Sequence, residues 1–272
     1  MNLRAISANG LGVFLFKSIL ETKTAGTPAD DKRKLARYVV GPAFPFKTTL
    51  FLHGEEEART NNTKDTEWSA TLVNLSAAGA SMQLSRSAAG FQRERCGIRF
   101  SHGDYLLELP AAVVHFRRYS QYSLCGVHFD LPDEISEQSY RQFITPVVIG
   151  NSLLPLEPVD HAPDRHEERF GGPTSATMSV WRDAPGGRIT GFDLRMHRYV
   201  VRWTEGMTEL EVYWVADVMH TPGTPVATWT TPSVPLNAEQ HEEVRWLFCL
   251  MVPNLTKSVP RDVREFLSAV VA

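Results

Sequence analysis

Cysteine is scarce in this chain, and the three present cannot build a framework. Cys96, Cys125 and Cys249 are odd in number, far apart and without a CxxC pair. That pattern argues against a disulfide scaffold or a structural zinc site and fits a reducing, cytoplasmic compartment. All three have apolar neighbours and read as small buried hydrophobes. Long apolar runs are missing too. The nearest candidate, Leu11 to Leu20, is interrupted by Lys17 and Ser18 and falls short of the ~20 residues of a membrane helix. We expect a short latch there, and no signal core or integral membrane segment. Neither sign of charge dominates. Up to residue 150 there are 17 basic and 15 acidic residues, and beyond it 11 and 16. This is too even for general DNA binding, which rests on neutralising phosphates.

Catalytic signatures are equally sparse. The chain has no GxxxxGK(S/T) loop, no GxGxxG after a strand, no GxSxG turn and no HExxH. His241-Glu242-Glu243-Val244-Arg245 lacks the second histidine that a zinc-protease helix needs. Asp217 and His220 make an isolated pair, read as a surface contact. Glu55, Glu56 and Glu57 adjoin one another on a polar stretch and read as solvated. No catalytic residue, metal ligand or cofactor is assigned.

What is present is β-strand periodicity. Thr48, Leu50 and Leu52 alternate with Thr49, Phe51 and His53; Ala80, Met82 and Leu84 alternate with Ser81 and Gln83. Ala112, Val114 and Phe116 alternate with Val113, His115 and Arg117, while Cys125, Val127 and Phe129 alternate with Gly126 and His128. Short strands separated by turn residues predict an all-β sandwich or barrel. Residues 1–31 read as a latch and flexible arm, Gly54 to Glu67 as a long hairpin loop, and Ser136 to Ile144 as a helix stopped by Pro146. Residues 151–175, rich in Pro, Gly and charge, read as a linker. Residues 176–272 read as a second β-rich α+β domain. Strands lie around Tyr199 to Trp203 and Leu210 to Trp214. One closing helix starts at the capping-box pattern Asn237 to Gln240, and another follows Pro260.

One constellation carries chemistry. Arg33 and Arg37 stand four residues apart on the arm, and Asn74-Leu75-Ser76-Ala77-Ala78-Gly79 follows after a strand. Arginine forks fit phosphate oxygens and the O6/N7 edge of guanine. Asn74 and Ser76 project to one side of an extended chain, and Gly79 permits a positive-φ turn or a close backbone approach. RxxxR alone says little, because it also occurs at Arg95–Arg99, Arg165–Arg169 and Arg198–Arg202. The NxSxxG turn occurs once.

With these residues the stretch 32–135 resembles the PilZ family, bacterial receptors for cyclic di-GMP. The resemblance rests on the paired arginines, the strand Lys47 to Leu52, NLSAAG, GDYLLELPAAVVHFRR and the strand Cys125 to Phe129. Asn74 stands where the family prefers an acid. The resemblance implies a six-stranded antiparallel β-barrel with a following helix (residues 32–150), and hence a mainly β protein. It also implies cyclic di-GMP as the ligand, held by Arg33, Arg37, Asn74, Ser76 and Gly79. Residues 151–272 resemble no family, and an output or dimerisation role is the default. The implied partners are cyclic di-GMP and a downstream protein that the sequence does not identify, with a homodimer left open. The rival reading is an adaptor with a PilZ-like barrel that binds no nucleotide. A third, an enzyme in the C-terminal half, requires a deep pocket with perturbed carboxylates such as Glu205 or Asp217.

Overall fold

The computed structural model describes residues 35–52, 66–157, 166–172, 176–196, 199–215 and 233–271. They divide into two units, 35–147 and 148–271. The latch, most of the arm including Arg33, and residues 54–65 of the expected hairpin loop lie outside the described residues, while the last two residues of that loop, Thr66 and Glu67, belong to a strand.

The first unit contains β1 (Arg37–Val39), β2 (Lys47–Leu52), β3 (Thr66–Ser76), β4 (Gly79–Ser85), β5 (Arg95–His102), β6 (Tyr105–Arg118) and β7 (Tyr122–Phe129). Strands β3, β2, β5, β6, β7 and β4 pair antiparallel in that order, and β4 returns to β3. The result is a closed six-stranded barrel. Period-two alternation decides what fills it: on β5, Cys96, Ile98 and Phe100 are buried between more exposed neighbours, and Leu50, Leu75, Met82, Leu109 and Val113 complete the core. Helix α1 (Glu134–Ser152) follows, its first turn capped by Asp133, whose carboxylate accepts the Ser136 amide at 2.7 Å. Phe143 stacks on Phe100 with ring centroids 4.6 Å apart and meets Phe44 and Phe46 edge-on. Burying a side chain of this size contributes about 1.5–3 kcal/mol.

That burial explains why α1 does not stop where expected. Pro146 lies inside the helix, although a ring without an N–H forfeits one helical hydrogen bond and costs about 3 kcal/mol. Val147 and Ile149 beyond it are 0% and 6% exposed. Apolar burial on the far side of the proline offsets the lost bond.

The second unit is an antiparallel meander of β8 (Leu154–Pro155), β9 (His166–Gly171), β10 (Thr177–Arg182), β11 (Ile189–Met196), β12 (Tyr199–Thr204), β13 (Glu211–Val215) and β14 (Ser233–Pro235), each paired with the next. Strands β8 and β9 fall within the stretch expected to be linker. In β9 a charged sequence pairs as a strand because Glu168 accepts from the buried Arg182 of β10, 2.8 Å away. Helix α2 (Ala238–Met251) begins at a complete capping box, with Asn237 accepting the Gln240 amide at 2.8 Å. Helix α3 (Arg261–Val271) follows Pro260 and buries Val263 and Leu267. Phe248 of α2 and Phe266 of α3 pack against Phe192 of the sheet.

Candidate ligand-binding site

Strand β3 is long enough to serve two neighbours along one edge. Its first half pairs with β2, and its last three residues pair with β1. The register sets Arg37 opposite Ser76, Tyr38 opposite Leu75 and Val39 opposite Asn74. Directly opposed residues share a face of a sheet. Arg37, Asn74 and Ser76 therefore converge on the outer wall of the barrel, while Leu75 between them is fully buried.

The same wall continues across the hairpin made by Ala77 and Ala78. One row runs Arg37, Ser76, Gly79, His128, Ala112 and Arg95; the row beside it runs Val39, Asn74, Ser81, Gly126 and His115. Arg117 lies one row further on, opposite Leu124. Among the described residues no carboxylate pairs with Arg37, Arg95 or Arg117. The face is basic at its margins and small and polar in the middle. It suits an anion with flat, hydrogen-bonding parts.

Two irregularities produce this arrangement. Val73 on β3 is an extra residue between the pairs Leu72–Met82 and Asn74–Ser81, and Val114 on β6 is extra between Val113–Val127 and His115–Gly126. Each bulge shifts the alternation by one place. Leu72 points in and Asn74 points out; Val113 points in and His115 points out. The expected grouping of Ala112, Val114 and Phe116 on one face is corrected accordingly. Ala112, His115 and Arg117 line the outside, and Phe116 pairs with the interior Cys125. The Val73 carbonyl accepts the Val40 amide at 3.1 Å, tying the bulge to the residue after β1.

Several contacts hold the turn itself. The Ser76 hydroxyl donates to the Gly79 carbonyl at 3.2 Å, the Tyr140 hydroxyl of α1 donates to the Ser76 carbonyl at 2.6 Å, and the Phe129 amide donates to the Ala78 carbonyl at 2.9 Å. Gly79 does not take a positive φ. Its lack of a side chain serves the wall: a Cβ there would overlap the Val127 carbonyl oxygen and sit 3.4 Å from the His128 Cα. The close approach read from the sequence is thus made by β7.

Of the five expected ligand residues, the fold gathers Arg37, Asn74, Ser76 and Gly79, and Arg33 lies outside the described residues. Ser81, His115 and His128 share the face and belong to neither motif. The signal for Ser81 and His128 was available in the strand alternation; the one for His115 was hidden by the bulge. Burial, then the charges of Arg117 and Arg37, hold the His115 imidazolium below its usual range.

Other candidates resolve differently. Glu205 is exposed and paired with Arg188, on an open groove of about 460 Å³ that also includes Arg182, Trp203 and Asp262. The buried Arg182 is itself paired with Glu168 and Asp262. Asp217 and His220 lie outside the described residues, and the His241 ring contacts the Leu210 carbonyl at 3.2 Å. Cys96 and Cys125 are buried, and burial pushes both thiols up to about 12; Cys249 is only half-buried. Among the described residues no group of three potential metal ligands forms, and no helix is long and apolar enough to cross a membrane.

Comparison with family models places the barrel: residues 29–145 match the PilZ domain. This segment is a PilZ domain. Residues 146–272 fall outside the match. The PilZ domain with c-di-GMP of YcgR from Escherichia coli is similar at 13% identity and a TM-score of 0.33, covering 42% of this chain and 89% of that one. The Borreliella burgdorferi PlzA protein in complex with c-di-GMP is similar at 8% identity and a TM-score of 0.26, covering 66% and 81%. No curated protein matches the sequence.

Proposed function

We propose that the PilZ domain of this chain is a cytoplasmic receptor for cyclic di-GMP. Arg33 and Arg37 would grip its phosphates and guanines, and Asn74, Ser76 and the turn at Gly79 would line its seat. The observation that carries this reading is the β1–β3 register, which sets Arg37 across from Ser76. It joins two motifs that stand 37 residues apart in sequence. A cationic fork beside small polar side chains suits a dianionic, guanine-bearing ligand, because each charge-assisted hydrogen bond is worth about 1.5–3 kcal/mol. Asn74 accepts and donates through its amide without the charge that an acid would set against the phosphates.

In this scheme signalling runs through the arm that carries the forks. Ligand bound between the arm and the barrel wall neutralises Arg33 and Arg37 and fixes the segment that carries them, giving a downstream protein a surface absent from the free receptor. The second unit is the output element in this scheme, acting by recognition. The free cysteines fit a reducing compartment.

Calorimetric titration of cyclic di-GMP into the wild-type chain, Arg37→Ala and Ser76→Ala tests the reading. Wild type binds, and Arg37→Ala weakens binding at least tenfold, since about 1.4 kcal/mol is a factor of ten. A silent wild-type titration with intact folding overturns the receptor reading in favour of a nucleotide-free adaptor. Unchanged affinity in Arg37→Ala moves the ligand to another surface.

A further inference from the structure

The outer row that begins at Asn74 ends at His115, and a bulge aims each of these two residues. Between them the row contains only Ser81, 4% exposed, and the buried Gly126. Two bulky polar groups therefore flank a shallow floor of small residues. Neighbouring strands lie about 4.8 Å apart, so Ser81 and Gly126 separate the two groups by two strands.

Gly126 fixes the attitude of the histidine ring. A Cβ built on Gly126 would fall against Cε1, Nδ1 and Nε2 of His115 together. A point beside the ring edge would approach one atom and leave its neighbours well behind. Near-equal closeness to three adjacent ring atoms puts Gly126 under the flat of the imidazole. One ring face thus lies on the strand, and the ring is half-buried overall. Its other face is turned away from the barrel wall, on the same side as Arg37 and Asn74. Burial, and after it the charges of Arg117 and Arg37, disfavours the imidazolium; a neutral ring stacks on a base without adding charge.

From this geometry we infer that His115 is a ligand-contacting residue, its outer face the platform on which one purine ring of the bound dinucleotide stacks. The inference rests on the receptor reading above and adds a residue to it from a strand outside both arginine and NxSxxG motifs. The arginines select phosphate, and the platform selects a flat base. Ser81 and Gly126 matter by being small, because a larger side chain at either position would lift the base off the ring or the ring off the strand.

The test is titration of cyclic di-GMP into the full chain as wild type, His115→Ala and His115→Phe, with a melting curve for each. The His115 Cε1 proton is followed by NMR in the wild type. Base–aromatic stacking predicts roughly tenfold weaker binding for His115→Ala. His115→Phe, which restores a flat ring without hydrogen-bonding nitrogens, recovers most of that loss. The Cε1 proton moves upfield on saturation, as expected beneath an aromatic base, a shift that a purely structural histidine does not show. Wild-type affinity in a folded His115→Ala protein overturns the inference while leaving the receptor reading standing. So does a His115→Phe protein as weak as His115→Ala, since that points to hydrogen bonding. A wild-type chain that binds no cyclic di-GMP removes the receptor reading and this inference with it.

Discussion

Gly79→Ala separates the two roles that a glycine in the NxSxxG turn can play. The added methyl would meet backbone only: the Val127 carbonyl, whose oxygen it overlaps and whose carbon lies at 3.3 Å, and the His128 Cα at 3.4 Å. No flexible side chain is available to swing aside. Strand β4 must move off β7 at the Gly79–His128 pair, where the two strands run closely through Ser81–Gly126. Forcing a methyl into a packed site costs about 1–3 kcal/mol. For a unit of this size each kcal/mol lowers the melting temperature by about 4–8 °C. Calorimetry of the ligand-free chain should therefore show the barrel transition falling by roughly 5–20 °C, with Ser76→Ala as the control that alters the turn without adding volume. A Gly79→Ala protein that melts with the wild type, yet binds cyclic di-GMP less well, would refute the packing argument and return Gly79 to the ligand.

Two further outcomes are expected. Because His115 is held below its ordinary pKa, the unfolded chain binds more protons than the folded one as pH falls below about 6.5. Folded-state stability is therefore complete above that pH and is lost as pH falls toward the folded value. The charges acting on the ring are Arg117 on its own strand and Arg37 on β1, and Gly126 of β7 lies against it; chemical denaturation between pH 7 and 5 should show a smaller acid loss for His115→Gln than for wild type. In the second unit, Arg182→Ala strips the partner from Glu168 and Asp262, whose bonds to the arginine are 2.8 and 2.7 Å. Both carboxylates keep access to water, so the loss should be about 2 kcal/mol rather than the larger cost of a fully buried orphan, and hydrogen exchange should quicken first in α3.

Much of this architecture was legible from residue order. Alternation around Leu50, Met82 and Val127 marked the barrel strands, and the Asn237–Gln240 pattern marked the start of α2. The site was legible in part. Arg37, Asn74 and Ser76 were found by motif, but their meeting depends on β1 borrowing the end of β3, a long-range pairing that no local pattern encodes. Bulges defeated the rest. An extra residue such as Val114 looks in sequence like ordinary alternation, and only the partner strand reveals that Phe116 and His115 have exchanged sides. The passage of α1 through Pro146 was hidden for a related reason: local backbone preference was outweighed by burial of Val147 and Ile149. The charged strand β9 carried no apolar period to read, because its Glu168 is satisfied by an arginine on the next strand.

The interior thiols give the molecule a built-in probe. Cys96 and Cys125 sit in the barrel core on the two strands that flank β6, shielded and disfavoured as thiolates, whereas Cys249 belongs to the other unit and is less buried, although burial raises its thiol too. An alkylating reagent should therefore modify Cys249 faster than the other two, which it reaches only through opening of the β cylinder. Mass spectrometry of such a time course reads the two halves of the protein independently, without a tag or an engineered site.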